Sequence, residues 1–380
     1  MLILFNMKYQ SRMLPNTRID VADALRGLAV AGIILYHSVE HFNIFGGKPV
    51  HALASDRTVF DALTWLLSGK MYGIFALLFG LSFFIMNDNR QQKGKPFAGR
   101  FAWRMLLLFG FGVINMSFYD GDILTFYAIF GLFLIPCSFL PNAAVWAIIA
   151  FLAIQPVELF SLISGQHIST AAMGKFYGAM GQAHTSGTIF DVAAANLKYG
   201  FLASGLWFVA KGRITQTIML FLLGMQLGRH RLFYNEGNNL KIWRGICAAS
   251  VALVIGGSLF EFGKLNAWLH PIYNLFILLM IVSGVVLLWY RFGGFRKAMG
   301  HLGVFGRMSL TNYLLSSIIG GFIFNYYGLD GCHQIGETWC ALVGIGIILV
   351  QYTFCRLWAL KHDRGPAETL WRKLTWINNK

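Results

Sequence analysis

The stretch from Asp23 to His51, DALRGLAVAGIILYHSVEHFNIFGGKPVH, decides the fold. Its first two thirds are apolar enough to cross a bilayer as a helix, yet it carries Asp23, Arg26, His37, Glu40 and His41. An ionisable group at membrane depth costs several kcal/mol and usually faces a cavity, where it usually acts. At about 100° per residue, Arg26 and His37 return to nearly the same helix face, separated by about 16 Å along the axis. His41 follows His37 by one turn and Asp23 precedes Arg26 by three residues, so all four can share one polar stripe. A purely structural account is also open: Asp23 pairs with Arg26 at the interface, and His37 bonds a neighbouring helix.

Composition agrees with a membrane protein. Of 380 residues, 56% are hydrophobic and 12% charged, with a mean hydropathy of +0.58; soluble domains carry about 25% charged residues. The net charge of +15 does not point to nucleic acid, because the basic residues lie in short loops between apolar runs, where they determine topology. Five cysteines (137, 247, 332, 340 and 355) show no CxxC spacing and read as small core residues. Cys332 and Cys340 are the one pair that could meet on the outer side. No cleavable signal is expected before Asp20, so the first span serves as the targeting element.

At about 20 apolar residues per span, the chain reads as an all-α, polytopic helical bundle. It forms one domain over 1–380, with about ten spans and both termini cytoplasmic. The spans fall at 24–45, 59–86, 101–118, 123–139, 143–163, 215–227, 246–262, 272–290, 310–327 and 341–360. Arg90, Lys93, Lys95, Arg100 and Arg104 form the strongest basic cluster between spans and mark the cytoplasmic side. Residues 164–190, with His167 and His184, read as a long outer loop of the kind that often serves as a lid. Residues 190–210 are expected to be interfacial or re-entrant, which leaves Lys211 and Arg213 as outward exceptions to the charge rule. Lys70 and Tyr72 are further buried-polar outliers; snorkelling would account for Lys70.

With this topology span one presents a guanidinium inside and imidazoles outside. Arginine binds phosphate through its planar fork, and histidine serves as a general base near neutral pH. The pattern suits acyl transfer from a phosphorylated thioester carrier in the cytoplasm to a hydroxyl or amine outside. Asp120 and Asp122 are candidates to position a histidine or bind a sugar, or form a solvated turn. Arg307, Ser309, Thr311 and Asn312 open span nine from the cytoplasmic side, either as caps or as a second carrier contact. No metal is expected: His37, His41 and His51 lack an HExxH pattern and a carboxylate at fixed spacing. The other open class is a small-molecule transporter using the polar stripe as its pathway, although no paired broken helices or repeats are evident.

Arg26 followed by His37 resembles the arginine–histidine signature of the integral-membrane O-acyltransferases. More of the chain resembles the YeiB-like bacterial membrane family: DALRG at 23, ALLFG at 76, GDIL at 121, FLLGMQLGR at 221, GRMSLTNYLLSSIIGGFIF from 306 and GPAETLWRKLTW from 365. The first helices of that family are similar to those of the heparan-glucosaminide N-acetyltransferases. The resemblance implies an inner-membrane acyltransferase using acetyl-CoA or another acyl-CoA. In those enzymes an asparagine matches His37 and the catalytic histidine lies in the next loop, where His51 stands, with Thr58, Val59 and Asp61 at similar spacings. It therefore implies His51 as base before His37; the reading of the residues adds Asp122 as a positioning group, Arg26, Arg307 and Asn312 on the carrier, and His41 and Asp120 on the acceptor. The expected partners are the lipid bilayer and a small-molecule acceptor, with a homodimer compatible and no nucleic acid.

Overall fold

The structure, a computed structural model, describes residues 17–41, 44–45, 47–165, 171–259 and 265–377. Among them there is no β-strand; one isolated parallel bridge pairs His51 with Ile335. The first half runs α1 (Asp20–Tyr36), α2 (Asp56–Leu67), α3 (Met71–Gln91), α4 (Ala98–Met116), α5 (Leu124–Gly131), α6 (Leu134–Ser138), α7 (Asn142–Ala153), α8 (Pro156–Ser164) and α9 (Ala171–Ser186). The second half runs α10 (Ile189–Ala195), α11 (Phe201–Ala210), α12 (Arg213–Arg229), α13 (Asn239–Ser258), α14 (Asn266–Arg291), α15 (Gly293–Arg307), α16 (Ser309–Phe324), α17 (Gly331–Gln334), α18 (Glu337–Trp358) and α19 (Pro366–Thr375).

Among the described residues six helices are long and apolar enough to cross a membrane, or seven if the bent pair Ile189–Ala210 and Arg213–Arg229 counts as one. The structure gives this coarser count where the sequence pattern suggests ten. The 123–139 stretch is cut into α5 and α6, and the 310–327 stretch is a 16-residue helix, shorter than a full span. The 59–86 stretch belongs to a 36-residue unit, Asp56–Gln91, interrupted between α2 and α3, where Gly69 takes φ +78. Residues 164–190 are not an irregular loop, because α9 fills most of them; His167 lies outside the described residues. The pair of segments around Lys211–Gly212 bends by 78°, a broken span or a re-entrant course. Two further helices, α15 and α19, occupy stretches that read as connecting segment and tail.

Local chemistry explains several boundaries. Asp20 and Asp23 lie in the first turn of α1, where acids offset the positive end of the helix dipole. Thr188 and Asp191 form a reciprocal capping box that starts α10, satisfying two otherwise orphaned N–H groups. Proline opens both α8 and α19, a position at which its missing N–H is harmless. After Tyr36 the first helix widens into a π-helical turn, His37–His41, a local form often found at functional sites.

Two crossings hold the bundle at its tightest points. A Cβ on Gly27 would strike the Leu302 carbonyl, and one on Gly306 would strike the Asp23 carbonyl, so α1 and α15 touch backbone to backbone. Gly80 and Gly224 do the same for α3 and α12, against the Phe221 and Leu77 carbonyls. Small residues permit such approach where lipid offers helices little hydrophobic drive to associate. Around the second crossing Phe79 stacks on Phe221 at 4.8 Å and Tyr127 meets Phe221 edge-on at 5.2 Å. We expect Gly224→Leu to destabilise the detergent-purified protein by about 1–3 kcal/mol through overpacking. Gly245→Leu, which meets open space, leaves the thermal midpoint unchanged; equal midpoints for the two variants would contradict this account.

Candidate functional site: an arginine-lined basin and a histidine cleft on one helix

Arg26 is fixed from two sides. Its Nη1 donates to Asp23 Oδ1 at 2.9 Å within α1, and its Nη2 donates to Ser82 Oγ of α3 at 3.0 Å. Arg18 Nη2 donates to the other Asp23 oxygen at 2.8 Å, so that carboxylate is shared by two guanidinium groups. Arg307 closes α15 one residue beyond the Gly306 contact, as Arg26 precedes Gly27. The first helix crossing thereby brings both arginines to one open basin of about 1080 Å³.

Seven arginines (18, 26, 90, 104, 307, 364 and 372) and Lys93 line this basin against three acids, Asp23, Asp363 and Glu368. Two of the acids are already engaged: Asp23 as above, and Glu368 with α16. Glu368 accepts from Leu310 N at 2.6 Å, Thr311 N at 3.2 Å and Thr311 Oγ1 at 2.6 Å. Burial raises its carboxyl above the usual range, and those donors pull it back only in part. Nε atoms of Arg90, Arg104 and Arg307 are buried with no hydrogen-bond partner among the described residues. The excess of positive charge gives the basin a potential that favours anions.

The C-terminal helix forms part of the basin wall. The Arg104 guanidinium lies 3.5 Å from the Trp371 ring centroid, and Trp371 Nε1 donates to the Arg104 carbonyl at 3.1 Å. A smaller recess of about 210 Å³ continues inward from Arg26, Arg104 and Arg307 past Ser82 to Phe79 and Phe75. Sequence reasoning misses Arg104, Glu368 and Trp371 as a set; the visible signal is the Gly-Pro-Ala-Glu start of an amphipathic run at 365.

The opposite end of α1 borders a second, narrower cleft of about 60 Å³. Ile33, Tyr36 and His37 line it from the first helix and its π-helical end, with Tyr72 from α3, Tyr177 from α9 and Trp207 from α11. His37 stacks on Tyr119 at 4.5 Å and meets Tyr313 edge-on at 6.0 Å. Burial, then the nearby Asp120 and Glu40 carboxylates, raise the Tyr177 phenol well above its ordinary range, so it stays a donor at neutral pH. Between cleft and recess stand Phe75 and Tyr127, ring centroids 6.0 Å apart, with Tyr127 OH donating to the Tyr72 carbonyl at 2.7 Å.

The remaining sequence candidates are scattered. Asp122 is fully buried and accepts from Asn115 Nδ2 and Thr125 N, both at 2.9 Å, which ties it to the first turn of α5. Asp120 is buried and its carbonyl accepts from Ser204 Oγ at 2.9 Å. Asn312 donates to the Phe305 carbonyl at 3.1 Å and accepts from Cys355 Sγ; it lines neither the basin nor the cleft. His51 is exposed in a separate recess with Val50, Leu53 and Trp339, and its N–H donates to the Gln334 carbonyl at 2.9 Å. It is not brought to His37 or Asp122. His41 ends the π-helical turn, and its side chain lies outside the described residues. Among the described residues, one trio has donor atoms close enough to share an ion: Asp330, Cys332 and His333, within 4.8 Å of one another.

An all-helical chain with six or seven candidate spans and a cationic basin at one end of its first helix defines the class. Residues 227–378 match a family of proteins of unknown function (DUF418). The chain is 27% identical to the uncharacterized protein YxaH of Bacillus subtilis (strain 168), over 96% of each chain. It is 26% identical to the uncharacterized protein YeiB of Escherichia coli (strain K12), over 93% of this chain and 95% of that one. An uncharacterized 39.9 kDa protein from the amylase 3' region of Bacillus acidopullulyticus is 25% identical, over 95% and 94%. Over nearly its whole length the chain is thus similar to these uncharacterized YeiB-like proteins. No solved structure matches it significantly. Arg307, Glu368 and Trp371 fall inside the family match, whereas Arg26, Ser82 and Arg104 fall before it.

Glu368→Ala should lower the thermal midpoint by leaving the first N–H groups of α16 without acceptors, at a cost of about 1–2 kcal/mol. Glu368→Gln, which keeps one acceptor oxygen, should lose less; identical losses would argue against the capping role.

Proposed function

We propose that this protein is a transmembrane acyltransferase. The basin takes a cytosolic acyl-CoA, acetyl-CoA being the first candidate, and the His37 cleft takes an extracytoplasmic hydroxyl or amine. One observation carries the reading: a single helix presents Arg26 to a polyanion basin at one end and His37 to a separate cleft at the other. The basin's positive charge supports a cytoplasmic position for that end in a bacterial inner membrane, following the positive-inside tendency. The ten-span topology with both termini inside belongs to the same proposal.

In this reading Arg26, Arg307 and Arg104 hold the carrier's phosphates, as charge-assisted bonds to guanidinium favour. The carrier's flexible arm enters the recess along the seam between α1 and α3 and must pass Phe75. About 16 Å of helix separates the two ends. The His37 imidazole accepts the proton of the acceptor hydroxyl or amine as that atom attacks the thioester carbonyl. The tetrahedral intermediate collapses, the carbon–sulfur bond breaks, and the departing thiolate takes the proton back from the imidazolium. The support for His37 over His51 is its position on the cleft and against Tyr119.

The test uses the purified protein in nanodiscs with radiolabelled acetyl-CoA. Arg26→Gln and Arg307→Gln are each expected to weaken CoA binding about tenfold or more, the loss of one charge-assisted contact. His37→Ala should retain CoA binding and lose acetyl transfer or hydrolysis, while His51→Ala should keep both. No CoA binding by the wild type would overturn the proposal. Binding without any release or transfer of the label would favour the transporter reading instead.

A further inference from the structure

Two buried cations stand beside the His37 cleft. Lys70 is 3% exposed and Arg213 is 5% exposed. Among the described residues neither enters an ion pair, not even with Glu158, whose carboxylate lies near the Gly212 backbone. Arg213 Nη1 donates to Gln216 Oε1 at 2.6 Å and to Tyr72 OH at 3.2 Å, and its guanidinium lies over the Tyr72 and Trp207 rings at 5.0 and 5.7 Å. All of these partners are neutral, and Nε is buried with none. A cation withdrawn from water without an anion carries a large desolvation penalty that neutral contacts offset only in part.

Their positions sharpen the point. Lys70 is the N-cap of the 21-residue α3, and Arg213 is the first residue of the 17-residue α12. A helix N-terminus is the positive end of its dipole, so cations there add to an unfavourable potential. The same combination of helix start and cation is what binds an anion elsewhere in proteins. The two starts meet at Gly69: a Cβ there would lie 2.8 Å from Arg213 Nη2. Gly69 adopts φ +78, which a glycine takes without strain. Ser68, Gly69, Met71, Tyr72 and Trp207 all line the His37 cleft, and the guanidinium lies directly behind Gly69, Tyr72 and Trp207.

We infer that the His37 cleft binds a ligand bearing a carboxylate or phosphate group, held at the paired starts of α3 and α12 by Arg213 and Lys70. Taken with the acyl-transfer reading, on which this step rests, the acyl acceptor is an anionic molecule: a soluble acid such as a sugar acid, or an anionic lipid headgroup. The cations hold the acceptor's charge while its hydroxyl or amine faces His37. The anion site itself stands apart from the fate of the acyl group.

The experiment follows the thermal midpoint of the full-length protein in phosphatidylcholine nanodiscs during titration with glucuronate, with glucose as the uncharged control, and with inorganic phosphate. A parallel arm adds phosphatidylglycerol to the nanodisc, separating a lipid source from a soluble one. At least one anion is expected to raise the midpoint saturably, glucose not at all. Arg213→Gln and Lys70→Gln should each weaken that response about tenfold or more. Both variants should keep the wild-type response to CoA, which shows that they are folded and excludes the arginine basin as the anion site. No anion response in any arm, or one unchanged in both variants, would overturn the inference. An Arg213-dependent anion response in a protein that ignores CoA would keep the anion site and remove the acyltransferase reading.

Discussion

Backbone contact at glycine is the constraint on which the architecture depends. Gly27 against Leu302 and Gly306 against Asp23 lock α1 to α15, and each crossing glycine has an arginine as its chain neighbour. Arg26 and Arg307 therefore converge because two backbones touch, not because the arginines attract one another. The second crossing, Gly80 and Gly224, fixes α3 against α12, and the starts of those same helices carry Lys70 and Arg213. Both clusters of positive charge are held together by apolar contacts elsewhere on the helices that bear them.

The two clusters meet their electrostatic cost differently. The Arg26 end is open, and its cations have Asp23, water and aromatic rings to lean on; Arg104 rests on Trp371 and Arg90 reaches the Trp376 ring at 5.2 Å. Charge that stays partly open to solvent costs less than charge that is enclosed. The Lys70–Arg213 pair is enclosed, and the hydrogen-bond and ring partners of Arg213 are neutral. A ligand anion would contribute more at the enclosed pair than in the basin, since the local dielectric is lower there.

Much of this is legible in the sequence, for identifiable reasons. The apolar run with misplaced charges marks α1 and its stripe, and the stripe's ends do border two cavities. Arg307 is visible because a charged residue opens an apolar run. The tight crossings are not visible, because a glycine that permits contact looks like one that ends a helix. For the same reason the glycine-rich Gly293–Arg307 reads as connecting sequence, although it folds as α15. The tail reads as a topology determinant, which hides Glu368 and Trp371. His51 draws attention through a loop position in the acetyltransferases that the first helices resemble, while here its loop pairs with the chain near Gln334. Asp122 is a candidate for chemistry by its sequence setting and a helix start in the fold.

The π-helical turn at His37–His41 has a consequence for how such a protein can diversify. A π-turn holds one residue more than the α-helix around it. Removing a residue there would let the turn close to α-helical geometry, re-aiming the side chains of the turn while leaving Arg26 and its basin where they are. The two ends of one helix can thus be altered separately at that point. Descendants of this fold can change the ligand they recognise at the far end without renegotiating the one they grip at the near end.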